Sequence, residues 1–297
     1  MKLHFLTLIL SLFLFSCSSD NPSDTNDDDP GEPSEINNFV GYTQTFNQTG
    51  DVYSYTYEDD KWLNLEVNGN LWVELTYNEN DQLVRITEDR ENFFTDLQFE
   101  YDDSGNLSSV KEYDDVSNSF MERDITYSGN TVEVQKLNTT EENSGQVVFT
   151  FNNDRFSKFE DFDGDAMLVH SDELQYDNRG NVIQNTIYTS YSGLSLTEVF
   201  GYEYDNKANP QEAFFQEYTL AFLIWGSKNK FFNYEISTAI RAFGPNNRIA
   251  NIYPATYTEN QKLEIEVDYD GNMITTQTFI FRPEEAVIQV LEYLYSE

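Results

Sequence analysis

An aromatic residue followed by a turn-forming residue recurs along this chain as Tyr77-Asn78, Tyr101-Asp102, Tyr127-Ser128, Phe151-Asn152, Tyr176-Asp177, Tyr204-Asp205 and Tyr269-Asp270. The first five intervals are 24, 26, 24, 25 and 28 residues, and regularity of that length marks a repeat architecture. Four copies run on into Gly-Asn, at Gly105-Asn106, Gly129-Asn130, Gly180-Asn181 and Gly271-Asn272. Glycine and asparagine tolerate the positive φ that tight hairpins demand, so the recurring positions read as hairpin tips.

The flanks have the period of strands. Leu97, Phe99 and Tyr101 alternate with Asp96, Gln98 and Glu100, and Leu263, Ile265 and Val267 alternate with Lys262, Glu264 and Glu266. One face of each strand is apolar and the other wet. After the tips, apolar residues return at Leu83 and Ile86 and at Leu107 and Val110, a three-residue step that predicts a β-bulge near each tip. The expected fold is all-β: an antiparallel meander of repeated hairpins, a dozen strands or more, forming a large curled or spiral sheet with few or no helices. The best helical candidate is Glu212 to Ile224, where Phe214, Phe215, Tyr218, Phe222 and Leu223 can line one side, although the aromatic content suits a strand equally.

The N-terminus is of a different kind. Lys2 precedes the apolar run Phe5 to Phe15, and the small Ser16 stands before Cys17, the only cysteine in the chain. Residues 1–16 have the form of a signal peptide. The apolar run is too short to cross a bilayer, which takes about 20 residues. Ser18 to Glu35 carries seven acids, no bases and no large apolar side chain. Such a segment cannot bury enough surface to offset its chain entropy. Residues 17–38 are therefore expected to be a disordered tether, and residues 39–297 a β domain.

Leu14-Phe15-Ser16-Cys17 resembles a bacterial lipobox, with the bulky Phe15 a departure from the usual pattern, and the resemblance implies diacylglycerol on the Cys17 thiol. Buried acyl chains at roughly 0.8 kcal/mol per methylene would hold the protein on a membrane. The acids after the cysteine resemble the surface-export signal of Bacteroidota lipoproteins. That implies an outer-membrane, surface-exposed location, with a periplasm-facing lipoprotein as the alternative. The Tyr-Asp-x-x-Gly-Asn patterns at Tyr101 and Tyr176 are similar to the YD repeats of Rhs-type proteins, whose hairpins wind into spiral sheets. Together with Tyr204-Asp205-Asn206-Lys207-Ala208-Asn209-Pro210, the chain resembles Bacteroidota lipoproteins of uncharacterised function with YD-like repeats. The resemblance implies an irregular excursion over residues 206–250, ending near Phe243-Gly244-Pro245-Asn246-Asn247, and it transfers no catalytic residue.

The chain has 17 Lys and Arg against 53 Asp and Glu, a formal net charge of −36. That surface repels phosphate backbones and argues against nucleic acid as a partner. Once His4 leaves with the signal peptide, His170 is the only histidine, which excludes histidine-rich metal centres. A Ser-His-acid triad would have to rest on His170, and no nucleophile-elbow motif occurs. The residue reads as a strand histidine facing solvent. Asp161, Asp163 and Asp165 alternate as at the start of a calcium loop. Ala166 occupies the position where the sharp turn wants glycine, so the segment is either a calcium site or an acidic hairpin tip. Trp62, Trp72 and Trp225 are candidates for stacking on sugar rings or for filling the core. Two functions remain: a non-enzymatic, monomeric envelope lipoprotein that binds a glycan or an envelope protein, or a carboxylate-dependent, glycosidase-like envelope hydrolase assisted by calcium. No cofactor other than calcium is expected.

Overall fold

The computed structural model describes residues 39–90, 93–114, 118–136, 145–191, 193–228, 243–258, 263–281 and 286–296. Residues 1–38, on which the expectations of a signal peptide, a lipidated Cys17 and a tether fall, lie outside the described residues, as do residues 229–242 of the expected excursion. The described residues form 18 strands and one helix. In chain order the first strands are β1 (Phe39–Phe46), β2 (Asp51–Glu58), β3 (Lys61–Val67), β4 (Asn70–Tyr77), β5 (Leu83–Arg90) and β6 (Phe93–Tyr101). There follow β7 (Leu107–Asp114), β8 (Ser119–Ser128), β9 (Thr131–Gln135), β10 (Gln146–Asn152), β11 (Arg155–Phe162) and β12 (Leu168–Tyr176). The chain continues through β13 (Val182–Tyr191), β14 (Leu194–Ala208), α1 (Glu212–Lys228), β15 (Asn246–Ile252), β16 (Leu263–Asp270), β17 (Met273–Phe281) and β18 (Ala286–Tyr295).

Each strand pairs antiparallel with the next from β1 to β15 and again from β16 to β18. The last strand then pairs with the first, Gln44 opposite Leu291, so the meander curls into a nearly closed barrel. Among the described residues β15 and β16 share no ladder, and the strands flanking this seam are joined by side chains. Gln277 donates to the Arg248 carbonyl at 2.6 Å, Lys207 to the Gly271 carbonyl at 2.9 Å, and Tyr269 to the Asp205 carboxylate. Toward the other end the Leu263 amide donates to the Tyr253 hydroxyl at 2.9 Å.

In a meander every second connection lies at the same end, which puts all the recurrent aromatic-led tips on one rim. Register shifts fall at Tyr77, Tyr101, Phe151, Tyr176 and Tyr269, so the expected bulges sit at the punctuating aromatics themselves. The hydroxyls of Tyr77, Tyr101, Tyr127 and Tyr176 donate to the carbonyls of Trp62, Leu83, Leu107 and Phe156 on the strand before. Tyr295 does the same to Ile274. Phe151 has no hydroxyl and forms no such bond.

The alternation places apolar side chains in the lumen and charge outside. Leu83, Ile86, Leu97, Val110, Phe149 and Leu291 are fully buried, whereas Glu74, Arg85, Glu100, Glu122 and Asp124 are exposed. Each fully buried aliphatic or aromatic side chain contributes about 1.5–3 kcal/mol relative to exposure.

The helical alternative holds for the excursion. The Asn209 side chain accepts the Gln211 amide at 3.1 Å, Pro210 fixes the turn that leads into the helix, and Glu212 places negative charge in the first turn. The aromatic side of α1 then packs into the lumen. Phe214 meets Tyr57 and Trp62 edge-on at 6.0 and 5.9 Å, and Tyr218 meets Tyr77 at 5.2 Å and donates to the Asp81 carbonyl at 2.7 Å. Phe243 bridges Phe215 and Phe156, both at 5.8 Å, connecting the helix to β11. The barrel is filled, not hollow, along these contacts.

Candidate functional site

Asp161, Asp163 and Asp165 do not converge. The Asp163 carboxylate accepts the backbone amides of Asp165 and Met167 at 3.0 and 2.9 Å, while the Asp163 amide donates to the Met167 carbonyl. The same five-residue turn recurs at Asn78–Gln82, Asp102–Asn106 and Asp177–Asn181, each with the first side chain capping the loop. Its fourth residue has positive φ in every case: Asp81, Gly105, Ala166 and Gly180. What resembles a calcium loop is thus another copy of the tip, on the opposite rim. Asp161 stands apart on β11, where burial raises its pKa against the opposing pull of its partner Lys136. Among the described residues no three His, Cys, Asp or Glu side chains form a group able to hold a metal. At Asp102 the Asn106 amide, supported by those of Ser104 and Gly105, holds the carboxyl below the ordinary carboxylate range.

Trp62 of β3 and Trp225 of α1 are buried with ring centroids 5.8 Å apart, so both fill the core where the helix meets the wall and neither forms an exposed stacking platform. Trp72 is half-buried, edge-on to Tyr53 at 5.8 Å and capped by the Arg90 guanidinium at 5.4 Å. Trp225 also donates its indole N–H to Glu88 at 3.2 Å, and Glu88, fully buried, is paired with Arg90. This inward carboxylate anchors the helix to the wall, a role that periodicity alone does not reveal.

His170 faces the lumen, contrary to the solvent-facing expectation. It is buried, its Nε2 lies 2.6 Å from the Asp172 carboxylate and its Nδ1 3.2 Å from the Thr189 hydroxyl. Asn185 donates to the other Asp172 oxygen at 2.8 Å, and Asp172 and Asn185 are fully buried. The correction follows from closure of the sheet, because alternation puts residue 170 on the face that the barrel encloses. Both ring nitrogens are engaged and, among the described residues, Thr189 is the one hydroxyl bonded to them, so the four side chains cross-brace β12 and β13.

On the outer wall, β16 presents Glu264, Glu266, Asp268 and Asp270 to solvent in an unbroken alternating row. A barrel that crosses a bilayer presents an apolar band on its outer wall, and charged side chains in that band are destabilising. An open hollow of about 340 Å³ lies near the tip rim, lined by Asp177, Arg179, Ile183, Glu203 and Asp205 among others. Its carboxylates are partly committed: Asp177 caps its turn, and Asp205 accepts Asn247 and Tyr269.

No protein-family model and no curated protein matches this chain. Among solved structures it is similar to a porin-like protein from Bacteroides vulgatus ATCC 8482, at 9% identity and a TM-score of 0.40, over 87% of this chain and 98% of the other. A porin-like protein from Bacteroides uniformis ATCC 8492 has 11% identity and a TM-score of 0.44, over 86% and 96%. The TcdB2-TccC3 structure is similar at 12% identity and a TM-score of 0.26, over 84% of this chain but only 16% of that one.

Proposed function

We propose that this chain is a non-enzymatic envelope lipoprotein, anchored through lipid on Cys17, whose β-barrel binds an envelope component, a glycan or a protein. One observation carries the reading: the described barrel is packed with apolar side chains and α1, and most of its carboxylates lie outside, at turn caps or in structural pairs. The wet outer wall favours attachment by acyl chains over insertion of the wall itself. The YD-like hairpins then serve as scaffold, with exposed wall and rims available to the partner. The surface-exposed leaflet is favoured by the acids that follow Cys17. Fractionation of cells carrying Cys17→Ala tests the anchor. Release of the variant into the soluble fraction is expected, and retention in the membrane fraction contradicts the reading. The hydrolase alternative has no supporting geometry among the described residues.

A further inference from the structure

The two sides of β14 are unequally used. Along one side β13 pairs with it without a break, from Gln184 opposite Gly201 to Tyr191 opposite Leu194. Along the other, β15 pairs only from Gly201 (opposite Ile252) to Ala208 (opposite Asn246). Leu194 to Phe200 therefore has no neighbouring strand on that side among the described residues. The connection after β15 does not fill the place. Tyr253 and Tyr257 set their rings on Phe200, at 6.1 and 5.5 Å, and the Tyr257 hydroxyl donates to the Glu198 carboxylate, but these are side-chain contacts: among the described residues no backbone hydrogen bond joins 253–258 to this edge.

Sheet edges are ordinarily blunted by lysine, proline, bulges or a covering segment, because a row of unpaired amides and carbonyls is a template for another strand. Leu194-Ser195-Leu196-Thr197-Glu198-Val199-Phe200 contains no Lys, Arg or Pro, and its register with β13 is free of bulges. Leu194, Leu196 and Val199 are 78%, 58% and 45% exposed. Charge decides what kind of strand fits. A second copy brings the same net −36, and antiparallel self-pairing about Thr197, the middle of the edge, would set Glu198 opposite Leu196 with the two Glu198 carboxylates as diagonal neighbours on one face. A cationic chain meets attraction instead.

We infer that the Leu194–Phe200 edge of β14 accepts, as an added strand, an extended segment of a partner protein that carries Lys or Arg between apolar residues. Main-chain hydrogen bonds would supply affinity and the exposed leucines and valine selectivity, the mode by which peptides extend exposed sheets. The inference rests on the binding role proposed above and names its protein version.

The test is amide hydrogen exchange on the full chain, with an alternating lysine-valine heptapeptide as probe and an alternating glutamate-valine heptapeptide as control. Exchange in Leu194–Phe200 is expected to slow about tenfold with the lysine peptide and to stay unchanged with the glutamate peptide. Leu196→Lys should abolish the slowing. Leu71→Lys, at an exposed leucine on β4, should leave it intact. Absence of slowing, equal slowing by both peptides, or protection at this edge in a concentration-dependent dimer without peptide would overturn the inference. Any of these with Cys17-dependent anchoring intact rejects the edge and leaves the proposed function standing.

Discussion

The Tyr101 hydroxyl donates to the Leu83 carbonyl at 2.8 Å, from the end of one strand to the start of the strand before it. The same link at Tyr77, Tyr127, Tyr176 and Tyr295 makes tyrosine, beyond a generic aromatic, the residue that fastens each hairpin to its predecessor. Tyr101→Phe keeps the ring and removes the bond. It should cost about 1 kcal/mol, seen as a lower urea midpoint with unchanged slope.

These tyrosines also set an alkaline limit. Burial raises the pKa of Tyr77, Tyr101, Tyr176, Tyr204, Tyr269 and Tyr295 above the ordinary 10, and pushes Tyr202 and Tyr218 up to about 12. Because the folded values are the higher ones, the unfolded chain loses its protons first. The contribution is complete below about pH 10 and is lost as pH rises through the folded values. Tyrosinate absorbance and loss of the β circular-dichroism signal should rise together in that range. Full tyrosinate formation near pH 10 with the β signal intact would contradict this.

Ala166 has φ +58, a conformation that costs a non-glycine residue roughly 1–2 kcal/mol. The equivalent positions in two sister turns are Gly105 and Gly180. Ala166→Gly should stabilise the fold by about 0.5–1 kcal/mol after its extra chain entropy in the unfolded state is offset, measurable as a raised melting temperature.

Phe214 is almost fully buried between Tyr57 and Trp62, where α1 meets the wall. Phe214→Ala should cost about 3–5 kcal/mol. Near-ultraviolet circular dichroism should lose its aromatic signal on the same denaturation curve that reports the strands, since helix and wall share one core.

The tips were legible in the sequence because each is written locally: an aromatic, a capping Asn or Asp, and a residue tolerant of positive φ within five positions. The bulge was legible for the same reason. Closure was not, because pairing of Phe39–Phe46 with Ala286–Tyr295 joins opposite ends of the chain and leaves no local mark. The burial of His170, Trp62 and Trp225 depends on that closure and on α1 filling the lumen, and neither leaves a local mark around these residues. Phe214, Phe215, Tyr218 and Phe222 suit helix and strand alike; the Asn209-Pro210 start decides for the helix. At Asp161-Phe162-Asp163-Gly164-Asp165 the hairpin reading prevails because Asp163 caps backbone amides.

The claim on which the rest depends is that the repeated hairpins curl until the first strand meets the last. Thr43 and Glu292 lie directly opposite on the outer face of β1 and β18, and opposed residues have Cβ atoms about 4.5–5.5 Å apart, near disulfide reach. With Cys17 replaced by serine, Thr43→Cys/Glu292→Cys should cross-link rapidly on mild oxidation, as a mobility shift in a non-reducing gel, while Thr43→Cys/Glu74→Cys should not. Failure of the first pair to cross-link, or equal cross-linking of both, would contradict closure.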